Sequence, residues 1–291
     1  MRNLLTEAFA RLILATRLID RSYRAIDRIR SALVLALASD AVLSRFNSLA
    51  YSRDGTYYPQ SSEFRSYLFP WEEKVVAEYF PRVPARLIIG GAGGGREVLA
   101  LARMGYDVVA FEPSAVLADM ARRATKGSNV RVYRGGYEDL PRMFPWREQE
   151  PDGTGNVDST FDAAILGWGS YSHLRTEDQR IQTLSWFARH VQGPILLSFY
   201  QFAKSRKIST DRRRRLKIWP SLRVGNRFSV YIGYTHDVSA AELRAVADRS
   251  GLTIVHLNED SRDTNWPHAI LYPQNITPTL DNDKRIILSS P

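Results

Sequence analysis

Residues 86–114 read RLIIGGAGGGREVLALARMGYDVVAFEPS: an apolar run, five glycines within positions 90–95, then a second apolar run that closes on Glu112. Glycine at the point where a strand ends and a helix opens lets the chain turn with positive φ and lets a ligand approach the backbone. The helix N-terminus beyond it offers free N–H groups and a favourable dipole. Such a loop suits a nucleotide-like ligand at the carboxyl edge of a parallel sheet. Spacing narrows the choice. A dinucleotide fingerprint needs Gly-x-Gly-x-x-Gly, but from Gly91 and Gly93 the third position is Arg96. The phosphate-cradling G-x-x-x-x-G-K-S/T pattern is absent, which leaves Gly91-x-Gly93-x-Gly95.

Outward from this stretch, strand-like and helix-like runs alternate. RLIIGG, DVVAFE, VRVYRG, FDAAILG and PILLSFY read as strands, and REVLALARMG, AVLADMARRA and TEDQRIQTLSWFARHV as helices. That alternation predicts a parallel sheet covered by helices on both faces. Near the C-terminus Ser239 and Glu242 form a capping box and Gly251 stops the helix. The last two strands, LTIVHLNE and HAILYP, are separated by too few residues for a crossover helix, so the last strand is expected to pair antiparallel. The fold expected is α/β, a Rossmann-like doubly wound sheet of seven strands with the last antiparallel.

Before this core lies an N-terminal helical arm. Leu5, Phe9, Leu12, Ile19, Tyr23, Ile26, Leu33 and Leu37 recur at spacings of three, four and seven with arginines between them, the signature of one or two amphipathic helices. The arm is expected to dock on its own domain, to pair with a second copy as a homodimer, or to lie on a membrane with its arginines at the headgroups. The division drawn is residues 1–50 for the arm and 51–291 for the domain, with a loop at 142–160 and a basic insertion at about 201–235.

Composition bounds the function. The chain has 291 residues, 44% hydrophobic, enough for a sizeable core. It has no cysteine, which excludes a disulfide scaffold, a thiolate zinc site and a cysteine nucleophile, and fits a cytoplasmic protein. The net charge of +9 is uneven. Residues 1–46 hold 8 basic and 4 acidic side chains, and residues 204–227 hold 10 and 1. Basic appendages on a near-neutral body suit a phosphorylated substrate, nucleic acid or an anionic membrane surface. The run Arg212–Arg215 has only Trp219 close by to stack on bases, so a small acidic or phosphate-bearing molecule, or a plain solvated loop, is favoured over nucleic acid.

LIIGGAGGG followed by Glu112 at the end of the next strand resembles the class I S-adenosylmethionine-dependent methyltransferases. The resemblance covers roughly residues 71–200 and 235–273. It implies S-adenosylmethionine as cofactor, held at Gly91, Ala92, Gly93 and Gly95, with Arg96 toward its carboxylate. Glu112, beside Pro113, would take both ribose hydroxyls, since two vicinal hydroxyls suit one carboxylate. RGGYEDLP implies adenine contacts from Tyr137 and Glu138. FDAAILGWGSYSHL implies a fourth strand and a substrate-facing loop, with Gly167 and Trp168 at the cofactor and Tyr58 as a lid residue. The chain departs from the family at Ile89, where an acidic residue is common two places before the first glycine, and at Gly136, where an Asp is common.

Methyl transfer from a sulfonium needs positioning and proton removal rather than a metal or a covalent residue. His173, Tyr171 and His236 are the candidate catalytic residues, His173 first because its ordinary pKa lies near working pH. The function expected is methyl transfer to O or N of a small molecule, a specialised metabolite or a sugar. The alternatives are a methyltransferase for RNA or a lipid-linked acceptor, and a non-catalytic cofactor-binding scaffold.

Overall fold

A computed structural model describes residues 2–65, 67–145, 160–201, 225–260, 266–280 and 286–289. Most of the loop expected at 142–160 and the arginine run 212–215 lie outside the described residues.

The chain opens with α1, Arg2–Leu37, a single helix where one or two were expected. Ser39 caps α2, Asp40–Arg53, through a bond from Val42 N to its Oγ. The boundary drawn at residue 50 thus falls inside α2. A short α3 at Ser62–Arg65 and α4 at Pro70–Tyr79 lead into the core. There β1 (Arg86–Gly90), α5 (Arg96–Arg103), β2 (Asp107–Glu112), α6 (Ala115–Ala124) and β3 (Val130–Arg134) follow in turn. Then come α7 (Leu140–Met143), β4 (Ala163–Leu166), α8 (Glu177–His190) and β5 (Ile195–Ser198).

Beyond β5 the C-terminal part of the expected basic insertion is regular. Strands β6 (Asn226–Ser229) and β7 (Gly233–His236) pair as an antiparallel hairpin. Next are α9 (Ala240–Arg249), β8 (Leu252–Asn258) and β9 (His268–Pro273), and a second hairpin of β10 (Thr277–Leu280) and β11 (Ile286–Ser289).

The main sheet has seven strands in the order β3-β2-β1-β4-β5-β9-β8. All neighbours are parallel except β9, which runs antiparallel to both β5 and β8, as the short connection required. Alternation along the strands divides the core. Leu87 and Ile89 face α4 and α5 with Trp71, Val75, Val98 and Leu101, while Ile88 faces the opposite layer with Leu184, Phe187, Leu243 and Val246. Both faces of β1 are buried, which is why it reads as an unbroken apolar run rather than an alternating one. The strand order turns back at β1 and β4, so their carboxyl ends open a crevice.

The glycine run bends at that crevice. Gly91 N and Ala92 N both donate to Phe111 O (3.0 and 3.1 Å), stitching the loop to β2. Gly95 has φ +98°, and a Cβ there would lie 3.0 Å from Ala121 Cα on α6. This glycine therefore serves helix packing. Gly127 shares the left-handed backbone (φ +85°) but faces open space. Gly95→Ala is expected to cost about 1–3 kcal/mol of strain plus a displaced helix, and Gly127→Ala only the strain. Thermal melts of the two variants should therefore separate, with Gly95→Ala the lower.

Candidate functional site

A cavity of about 520 Å³ opens at the carboxyl ends of β1, β2 and β4, within the roughly 300–1,000 Å³ usual for small-molecule sites. Glu112 stands in its wall, 6% exposed. Its Oε2 accepts from Gly93 N (3.0 Å) and its Oε1 from Ser114 N (2.9 Å). Each oxygen keeps a further lone pair for the cavity, as a carboxylate can accept about four hydrogen bonds. Burial pushes Glu112 up to about 7, against the pull of the two backbone donors.

A second buried charge cluster closes one end. Arg96 donates to Glu72 through two nitrogens (2.6 and 2.8 Å), to Glu97 (2.8 Å) and to the carbonyl of Tyr67, and it lies over the Phe69 ring at 3.9 Å. Arg96 does line the cavity, but its guanidinium is occupied by protein carboxylates. Two carboxylates share this one cation. Burial raises Glu97 to about 7, Arg96 opposing and Glu72 adding to the rise. Glu97 also lines the cavity, 3.2 Å from where a Cβ on Gly167 would sit. Sequence reasoning missed it: as the neighbour of Arg96 in the first helical turn it reads as an ordinary surface acid.

Gly91, Ala92, Gly93, Pro113, Tyr137, Glu138, Gly167 and Trp168 all line the cavity. Gly95 does not. Gly94 makes room for protein too: a Cβ there would be 2.0 Å from the Tyr57 carbonyl, so the Gly55–Tyr57 turn presses directly on the loop. Tyr57, rather than Tyr58, lines the cavity, its ring 5.5 Å from Trp168, while the Tyr58 hydroxyl is bound to Ser52 O. Tyr137 shares a 2.6 Å hydrogen bond with Ser170.

The three candidate catalytic residues separate. His173 lines the cavity. Its Nδ1 is 2.8 Å from Tyr234 O and 3.1 Å from Asn47 Nδ2; we assign the proton to Nδ1 on the shorter contact, since a carbonyl only accepts and Asn47 Nδ2 already donates to that carbonyl. Nε2 then accepts from the Tyr51 hydroxyl at 2.8 Å. Burial lowers His173 to about 4, so the ring is neutral at neutral pH. Tyr51 is held protonated by burial and by neighbouring Tyr57 and Tyr200. Asn47, one turn before Tyr51 on α2, accepts from Tyr234 N (2.7 Å) and donates to Tyr234 O (3.1 Å), fixing the hairpin that holds the histidine. Asn47 and Tyr51 both face the cavity; Asn47 lies in the segment read as an arm, and Tyr51 is the first residue assigned to the domain.

Tyr171 is buried in the main core and His236 ends β7, opposite Asn226 of β6; neither lines the cavity. His236 uses both ring nitrogens, Nδ1 with Asn226 (2.7 Å) and Nε2 with Glu242 (2.8 Å), and Glu242 in turn pairs with Arg180. No cluster of histidine and acidic residues suited to a metal ion occurs among the described residues, and among them no helix is long and apolar enough to cross a membrane.

A search of solved structures aligns the chain with a SAM-dependent methyltransferase from Leishmania major at a TM-score of 0.54, with 14% identity over 81% of this chain and 87% of that one. The fold is that of the SAM-dependent methyltransferases. The CcbJ methyltransferase from Streptomyces caelestis aligns over 77% of this chain and 98% of its own at TM-score 0.52 and 13% identity. A SAM-dependent methyltransferase from Methanosarcina mazei aligns over 70% and 95% at 0.50 and 16%. No protein-family model matches the chain, and no curated protein does. Within the methyltransferase fold, Glu112 stands at the end of the second strand and the glycine run at the end of the first, as the sequence motifs placed them.

The raised carboxyls make a pH signature. Glu112 binds its proton more tightly folded, at about 7, than unfolded, at 4.5. Its stabilising contribution is complete below 4.5 and lost as pH rises through 7. In the ligand-free protein Glu112→Gln abolishes that loss, so its melting temperature should rise relative to wild type between pH 4.5 and 7, by an amount worth at most about 3 kcal/mol, and then level off.

Proposed function

We propose that the protein is an S-adenosylmethionine-dependent methyltransferase acting on an oxygen or nitrogen of a small molecule. The observation that carries the reading is Glu112: a buried carboxylate in the wall of the crevice, oriented by two backbone N–H groups, with lone pairs left for a diol. The residues present fit the cofactor. Glu112 would hold the ribose. Tyr137 and Glu138 stand on the adjoining wall for the adenine. Glu97 answers the absence of an acid at Ile89: the cluster of Glu72, Arg96 and Glu97 carries one carboxylate beyond its single guanidinium, and an ammonium group would restore neutrality. Bound there, S-adenosylmethionine supplies an activated methyl group.

The chain then has to position the acceptor and take its proton. Hydroxyl and amide side chains of Ser44, Asn47 and Ser48 on α2 and of Gln179, Gln182 and Thr183 on α8 line the rest of the cavity with Leu43, Leu174 and Trp186, and the two charged groups there, Asp40 and Arg175, are paired with each other (3.4 Å). They suit a polar acceptor such as a sugar or a hydroxylated metabolite better than an extended polyanion. Tyr51 and His173 form the proton path. An acceptor O–H or N–H against the Tyr51 oxygen gives up its proton there while the Tyr51 proton passes to His173 Nε2, leaving an imidazolium facing Tyr234 O. A ring lowered to about 4 is a weak base, which suits a proton that leaves only as the methyl arrives. The cytoplasm is the location we infer, from the absence of cysteine.

Calorimetric titration with S-adenosylhomocysteine tests the reading. Micromolar binding is expected for the wild type, at least tenfold weaker binding for Glu112→Ala and for Glu97→Gln, and no binding of NAD. Affinity should rise with pH through about 7, because both carboxyls must ionise to receive the ligand. Tyr51→Phe should leave this affinity unchanged while lowering kcat by about 10²-fold on an acceptor found by product mass. Absence of binding to the wild type would sink the enzymatic reading in favour of a scaffold.

A further inference from the structure

One face of α1 carries a regular apolar row, and from Ile19 onward its large side chains are exposed among the described residues. Positions 5, 9, 12, 16, 19, 23, 26, 30, 33 and 37 follow one another at intervals of four and three without a break, and all but Thr16 and Arg30 carry large apolar residues. In the half of the helix nearest the body this face is open to solvent: Ile19 is 67% exposed, Tyr23 57%, Ile26 65%, Leu33 55% and Leu37 79%. The opposite side of the same segment does the docking. Leu35 is buried with Leu43, Phe228 and Tyr234, and Ser31 Oγ accepts from Phe228 N (3.0 Å). From Ile19 to Leu37 the apolar row therefore points away from the described body of the protein.

We propose that this face pairs with the same face of a second copy of the chain, the two arms forming a coiled coil. The period decides between the partners. A row repeating every 3.5 residues drifts about 20° per heptad on a straight helix, so over the four heptads from Leu5 to Leu33 it turns by about 80°. A second helix winding left-handedly with the row keeps all of it at one seam, which a flat lipid surface does not. The area is adequate. Eight large apolar side chains at about 100 Å² each give roughly 800 Å² per copy, the amount a standard interface buries on each partner. The charges agree as well. Arg17, Arg21, Arg24 and Arg28 lie on the side away from the row, and Arg30, the one charge within it, is paired with Asp27 three residues earlier in its own helix. Thr16 and Arg30 are the kind of polar interruptions that set register at some cost in stability.

Sedimentation equilibrium of the full chain over a wide concentration range tests this. The expected mass is twice 33.1 kDa, falling to a single chain for the double variant Ile19→Glu/Ile26→Glu and staying double for Arg17→Glu/Arg21→Glu on the other side. None of the six tryptophans lies in the arm, so melting followed by tryptophan fluorescence should be the same for all three proteins if the body is intact. A single-chain mass for the wild type at every concentration would overturn the proposal, as would a dimer that survives the Ile19→Glu/Ile26→Glu change. Vesicles of phosphatidylglycerol and phosphatidylcholine supply the remaining arm: pelleting of the wild type that this double variant abolishes would assign the face to lipid instead.

Discussion

The site depends on one carboxylate held at the end of a buried strand. Glu112 terminates β2 with each oxygen bound to a backbone N–H, one from the loop after β1 and one from the turn into α6. That pair of bonds ties together the two connections that border the crevice, and it does so at a cost, since burial raises the carboxyl to about 7. An unliganded protein gains nothing by keeping an acid there that resists ionisation. The arrangement makes sense as one completed by hydroxyl donors from a ligand, which supply the hydrogen bonds that lost water no longer provides.

Glu72, Arg96 and Glu97 extend the same logic. Arg96 is satisfied by protein groups on both sides and covered by Phe69 and Trp168, so it acts as a rigid strut between α4 and α5 rather than as a free anion receptor. The uncompensated charge is thereby moved onto Glu97, at the cavity wall. A buried pair would be self-contained; a buried triad of two acids and one base is not, and it has a preference for cations built into it.

The sheet was legible because buried parallel strands leave long apolar runs and glycines must stand where the chain turns under steric pressure. Glu112 was legible for the same reason, being the only acid at the end of such a run next to the glycine loop. What could not be read were contacts between segments distant in sequence. Gly94 is needed for the Tyr57 carbonyl, 37 residues earlier, and Gly95 for Ala121. Asn47 and Tyr51 sit on a helix with no pattern linking them to His173, more than 120 positions away. His236 was the second candidate base, and its place outside the cavity, with Glu242 and Asn226 on its two ring nitrogens, separates it from His173.

Those long-range contacts join the arm to the chemistry. Between α1 and α2 only Ala38 and Ser39 intervene, and Ser39 caps the second helix. Asn47 grips Tyr234 by both backbone groups, an approach that Gly233 permits, since a Cβ there would fall 2.0 Å from Asn47 Oδ1. Tyr234 O in turn fixes the proton on His173. The position of α2 thus bears on both the shape of this end of the cavity and the tautomer of the histidine within it. A helix whose outer row is anchored by pairing would help hold α2 in place, adding to the contacts of Leu35, Leu43 and Phe228 and the hydrogen bonds of Asn47 and Tyr51. Order at this end of the cavity is in this way a property of α2 and the helix before it as much as of the sheet.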